Sequence, residues 1–115
     1  MSTNYTGSCH CGDVEFSVNT TLDSGRRCNC SICKRKNAIM LAGDEGSFQL
    51  LKGADKLSTY RFGTHIAEHY FCSTCGIYTH HKPRSNPKIF RVNAGCLEGV
   101  DSLTLAAEFF DGKNV

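Results

Sequence analysis

Seven of the eight cysteines in this chain stand in three short arrays, and their spacing limits the possible folds more than any other feature of the 115 residues. Cys9 and Cys11 form a C-x-C pair, Cys28, Cys30 and Cys33 a C-x-C-x-x-C array, and Cys72 and Cys75 a C-x-x-C-G knuckle. Two thiolates three apart at the end of a strand can grip one metal ion, and Gly76 permits the tight backbone around it. A knuckle supplies two ligands, and Cys9 with Cys11 is the only other pair. These four are therefore expected to close one structural zinc. The rival reading, a redox-active C-x-x-C, lacks its βαβ setting. The remaining trio is one ligand short of a tetrahedron. Cys96, in "NAGCLEG", has no ligand-spaced companion and reads as a buried small side chain at an apolar strand end. Three thiolates with an open fourth position describe a catalytic rather than a structural zinc.

Around these arrays the pattern is β. "DVEFSV" alternates, with Val14, Phe16 and Val18 opposite Glu15 and Ser17. "SFQLL" and "LSTYRF" read as strands joined by the turn "KGADK". "HIAEHYF" sets Ile66, Glu68 and Tyr70 against His69 and Phe71, and "KIFRVN" sets Phe90 and Val92 against Ile89 and Arg91. Only "SICKRKNA" suggests helix, about two turns with Ser31 as N-cap. Many short strands and frequent turns predict an all-β sandwich or open barrel, one domain over residues 1–115. A core this small gains from a metal staple.

No apolar run approaches a transmembrane length, and "MSTNYTGSCHCG" has no signal-peptide pattern. Eight cysteines without an export signal point to a reducing, cytoplasmic setting, where clustered thiols bind metal more often than they form disulfides. The formal charge of +2 falls to about −1 once a four-thiolate and a three-thiolate zinc are counted. Neither nucleic acid nor a membrane is therefore an expected partner. No carboxylate pair, nucleotide loop or Ser/His/Asp arrangement stands out, and the H-x-E and P-C-x-x-C of zinc deaminases are missing.

The blocks "GSCHCGDVEFSV", "RRCNCSICKRKNA", "HYFCSTCGIYTHH" and "IFRVNAGCLEGVD" occur in the order found in the glutathione-dependent formaldehyde-activating enzymes, and the chain resembles that family from about residue 5 to 110. The resemblance implies an Mss4-like, β-tent fold of several small antiparallel sheets. It implies a structural zinc on Cys9, Cys11, Cys72 and Cys75 and a substrate-facing zinc on Cys28, Cys30 and Cys33. The reaction it implies is that of a carbon–sulfur lyase joining glutathione to formaldehyde. The chain stops at "FFDGKNV", where many relatives continue, so contacts from such an extension are expected to be missing.

The donor set suits that reaction. Three sulfurs make zinc a poor activator of water but a good host for another thiolate, the nucleophilic form of a thiol. Arg26, Arg27, Lys34, Arg35 and Lys36 flank the trio as candidate carboxylate binders or as ordinary surface charges, and Lys82, Arg84, Lys88 and Arg91 form a second basic set. His10 is expected to point away from metal. Alternation should send one of His80 and His81 inward and the other outward, while His65 and His69 share a strand. The alternative reading is a non-catalytic zinc-binding interaction module, which a Cys96 ligand would favour. A metal-linked redox sensor is a third.

Overall fold

The computed structural model describes residues 2–114. In chain order the strands are β1 (Thr3–Ser8), β2 (Glu15–Thr20), β3 (Arg26–Cys28), β4 (Met40–Ala42), β5 (Gln49–Lys52), β6 (Leu57–Tyr60), β7 (Glu68–Cys72), β8 (Tyr78–Lys82), β9 (Arg91–Asn93) and β10 (Glu108–Phe110). Among the described residues one short α-helix, α1 (Cys33–Lys36), and four single 3-10 turns interrupt them. A three-stranded sheet has the order β1-β2-β5, and a seven-stranded sheet the order β10-β3-β4-β9-β8-β7-β6. Neighbours are antiparallel except β10, which lies parallel to β3. The chain is nearly all β, in agreement with its alternating pattern.

β2 shows why the sheets face each other. Phe16, Val18 and Thr20 are fully buried on one side of it, while Glu15, Ser17 and Asn19 point the other way. Phe16 and Val18 meet Leu41 and Val92 of the large sheet, and Ile39, Ala94, Cys96 and Leu97 complete the core. Each large apolar side chain buried there contributes about 1.5–3 kcal/mol. Thr20 is polar but satisfied, donating its hydroxyl to the Ala42 carbonyl at 2.6 Å.

A bulge in the large sheet sorts the residues that matter for the site. His69 pairs with His81 and Tyr70 with His80, but Phe71 pairs with Tyr78, so Thr79 is extra. Tyr78 and His81 consequently share one face although they are three residues apart. His69 and Arg91 are on that face by register with His81. His80 takes the opposite, core face with Val92, stacked on Tyr70 at 4.5 Å and beside Phe48 at 4.4 Å. The expectation that one of the two histidines would face outward does not hold. Both are buried, because loops cover the far side of this sheet as well.

Two local readings also change. α1 is a single turn with Ile32, not Ser31, at its N-cap and no side-chain capping bond. It ends at Asn37, whose left-handed conformation (φ 52°) returns its N–H to the Cys33 carbonyl at 2.8 Å. His65 does not share a strand with His69. Positive φ at Gly63 and His65 turns the chain, and pairing begins only at Glu68. No helix among the described residues is long and apolar enough to cross a membrane.

Candidate metal centres

The sulfurs of Cys9, Cys11, Cys72 and Cys75 lie within 4.8 Å of one another. Cys9 and Cys11 come from the β1–β2 connection, Cys72 from the end of β7, and Cys75 from the turn after it. That turn is a knuckle: Gly76, at φ 76°, returns its N–H to the Cys72 carbonyl at 2.8 Å. The Sγ separations are 3.6 Å for Cys9–Cys11 and 3.7 Å for Cys11–Cys72. Thr74 bridges the two segments by donating to Asp13 Oδ2 at 3.0 Å. The N–H groups of Cys11 and Ile77 lower the Cys75 thiol to about 6. At Cys11 the Asp13 N–H likewise lowers the thiol, but desolvation and the neighbouring thiols outweigh it and raise it to about 12. A cation held by the set would displace the protons of thiols as unequal in acidity as Cys11 and Cys75. The set could hold a tetrahedral metal ion, and its soft donors suit zinc.

Cys28, Cys30 and Cys33 form a second group within the same 4.8 Å limit. Cys28 ends β3, Cys30 is in the following turn, and Cys33 opens α1. The N–H of Cys30 donates to Cys28 Sγ at 3.4 Å, and that of Lys34 to the Cys30 carbonyl at 3.0 Å. Burial raises the Cys30 thiol, but the Cys33 N–H and the two partner thiols outweigh it and hold Cys30 below the usual thiol value. Burial, with the Cys30 hydrogen bond and charge, pushes Cys33 up. Cys30 is thus the more acidic of the two sulfurs, and a cation held by the trio would displace the remaining protons. This three-sulfur set also fits zinc.

Unlike the first group, the trio faces a cavity of about 490 Å³. Its floor is the face of the large sheet bearing Met40, His69, His81 and Arg91, and its rim includes Phe62, Arg84 and Lys113. Cys96 does not join either group. It is buried in the core, donates its thiol to the Tyr78 carbonyl at 3.6 Å, and burial raises it to about 12. It lies in a one-turn helix (Ala94–Cys96) rather than at a strand end.

The flanking charges divide unevenly. Arg26 lines the cavity with its guanidinium 4.0 Å from the Phe110 ring centroid. Arg27 instead donates to the carbonyl and side chain of Asn37, at 2.9 and 2.7 Å, and so fastens the end of α1. Arg35 donates to the Ser31 carbonyl at 2.7 Å, Lys34 is exposed, and the Lys36 ammonium sits 4.0 Å from the Tyr78 ring centroid. Of the second set, Arg84 and Arg91 line the cavity and Lys82 and Lys88 do not. His10 and His65 are exposed.

Four residues, Asn29, Asp111, Gly112 and Lys113, escaped the sequence reading. Asn29, between two of the cysteines, donates to Asp111 Oδ1 at 2.8 Å and accepts the Lys113 N–H at 2.9 Å. Gly112 lies so close that a side-chain carbon there would collide with Cys28 Sγ. The C-terminal segment is therefore a clamp on the trio. Only "NCS" and "FDGK" signal it, and neither is distinctive in a sequence.

Fold and clusters together define a small β protein with two separate thiol sites, one closed by four sulfurs and one of three sulfurs facing a cavity. Residues 4–113 match the family described as glutathione-dependent formaldehyde-activating enzyme, and the chain belongs to that family. A Halomonas elongata protein, provisionally named for the same activity, is 38% identical over 79 residues, covering 60% of this chain and 50% of that one. The chain thus spans about half the length of this curated relative. A crystal structure of a Rhodobacter sphaeroides protein superposes with a TM-score of 0.88 at 44% identity, over 91% of this chain and 99% of that one.

Proposed function

We propose that this protein is a cytoplasmic, zinc-dependent carbon–sulfur lyase resembling S-(hydroxymethyl)glutathione synthase. It joins a thiol, glutathione or one like it, to formaldehyde or a related aldehyde at Cys28, Cys30 and Cys33. Cys9, Cys11, Cys72 and Cys75 hold a structural zinc. The observation that carries this reading is the contrast between the two groups: four sulfurs converge in one, whereas three converge on the wall of a 490 Å³ cavity in the other.

Zinc on the trio would favour the ionised form of an incoming thiol at neutral pH. The chain supplies the surroundings. The C-terminal clamp on Asn29 fixes the trio's backbone, and the cavity walls limit the water around the reactants. Burial and the charges of Cys33 and Cys30 keep the Tyr78 hydroxyl protonated. We assign it as the donor to His81 Nδ1, 2.5 Å away, and that tautomer carries the His81 ring proton on Nε2. Burial lowers His81 to about 3, so the ring is a neutral donor. In the synthetic direction the thiolate sulfur attacks the aldehyde carbon and a carbon–sulfur bond forms. The carbonyl electron pair moves to oxygen, which takes a proton from solvent in place of the one the thiol gave up on ionising; His81 Nε2–H is the group assigned to hydrogen-bond that oxygen.

Formaldehyde and thiols also condense unaided, so rate and not yield is the test. Exchange NMR with carbon-13 formaldehyde and glutathione should show faster interconversion of hydrate and adduct with the zinc-loaded protein. Cys30→Ser should return the rate to background. An exchange rate unaffected by the wild-type protein would end the enzyme reading.

A further inference from the structure

His69 on β7, His81 on β8 and Arg91 on β9 are direct cross-strand partners. Their side chains therefore stand in a row on the cavity floor. The two imidazole rings are 5.2 Å apart, and Nδ1 of His81 is occupied by the Tyr78 hydroxyl. The other two members are incomplete. His69 is only 4% exposed and its Nδ1 has no hydrogen-bond partner, and the buried Nη1 of Arg91 has none either. Among the described residues these are the two buried side-chain nitrogens or oxygens left unsatisfied. A buried polar group without a partner is costly, and a charged one more so. Two of them in one row, on side chains that line one cavity, call for a partner that settles between them from that cavity.

The partner's charge follows from the lining. Arg26, Arg84 and Lys113 join Arg91 around the cavity, and no aspartate or glutamate among the described residues lines it. Burial lowers His69 to about 4, so its imidazole is neutral, with one N–H to offer in the tautomer protonated at the unpartnered Nδ1, and Arg91 is the one charge of the row. A guanidinium edge beside one N–H suits a planar, singly charged acceptor with two oxygens.

We propose that His69 and Arg91 form a carboxylate subsite, which holds the acid group of a small substrate whose reacting end lies at the cysteine trio. The subsite stands on the sheet geometry. Only the word substrate rests on the function proposed above. The carboxylate has two possible sources: the thiol, since glutathione carries two, or an aldehyde bearing its own acid group, of which glyoxylate is the smallest.

Acetate and its uncharged analogue acetamide, titrated into the zinc-loaded protein, test this without any variant. Acetate should bind saturably and shift the His69 ring-nitrogen resonances, and acetamide should bind at least about 10-fold more weakly. Arg91→Gln should weaken acetate by about 10- to 100-fold. Displacement of acetate by glutathione would assign the subsite to the thiol. Displacement by glyoxylate, with glutathione leaving acetate in place, would assign it to the aldehyde. The subsite is overturned if acetate and acetamide bind alike, or if acetate affinity survives in a folded Arg91→Gln protein, as it would for acetate on the metal. Tighter binding of phosphate than acetate would overturn the carboxylate assignment. If neither glutathione nor glyoxylate displaces acetate, the substrate role fails. Acetate binding intact beside a background exchange rate would sink the proposed function and leave the subsite standing.

Discussion

His80 shows how much one position decides in this molecule. Its ring is sandwiched on the core face of the large sheet, with Thr79 Oγ1 2.8 Å from Nδ1. Burial lowers it from 6.5 to about 3. The folded state therefore binds fewer protons than the unfolded state between those values, and stability falls as pH drops through that window. The slope from this group alone is about 1.4 kcal/mol per pH unit. His80→Phe keeps the aromatic contacts and removes the titration. Urea unfolding at a series of pH values from 6 to 4 should give a shallower decline for the variant, and an identical slope would show that His80 titrates normally. Tandem histidines after a knuckle were visible in the sequence, and so was their alternation. Their common burial was not, because it depends on a bulge at Thr79 and on loops distant in the chain.

At the scale of elements, the C-terminal segment is the part with the clearest consequence for the site. β10 lies parallel to β3, and the turn after it grips Asn29 while Gly112 packs on Cys28. Gly112→Ala should push the Cys28 sulfur out of the trio without touching the core. Competition with a chromophoric chelator should then show zinc affinity at the trio reduced by roughly 10- to 100-fold, as for other supporting residues of metal sites. The thermal midpoint should remain near that of the wild type. Unchanged affinity would mean that the clamp is incidental. The strands with clean alternation, such as β2, were legible because one face is buried and the other is not. β3, β4 and β10 were not. They are three residues each, too short to display a period, and tertiary pairing alone makes them strands. The predicted two-turn helix is a single turn because Asn37 adopts the left-handed conformation and ends it.

For the molecule as a whole, the two cysteine groups differ in reach, and under the proposed function one holds the fold while the other faces the substrate. The first ties the β1–β2 connection to the knuckle after β7, and so fastens the small sheet to the large one. The second is borne on one turn and bridges nothing distant. Cys72→Ser should therefore lower the thermal midpoint sharply or prevent folding, because metal binding there is coupled to folding. Cys30→Ser should shift it by only a few degrees. Equal losses would make both sites structural. The grouping of the cysteines was legible from spacing alone. Which basic residues face the cavity was not: Arg27, Lys34 and Arg35 are adjacent to the trio in sequence yet are spent on the helix or turned to solvent, whereas Arg91 reaches it from β9 through strand register.

Whether the trio receives a thiolate is decided by calorimetry of glutathione against its S-methyl derivative. In the zinc-loaded protein glutathione should bind with release of a proton, read from two buffers of different ionisation enthalpy, and more tightly as pH rises. S-methylglutathione, which has no thiol to ionise, should bind much more weakly and release none. Equal affinities without proton release would contradict the account, whatever the fate of the fold and the four-sulfur site.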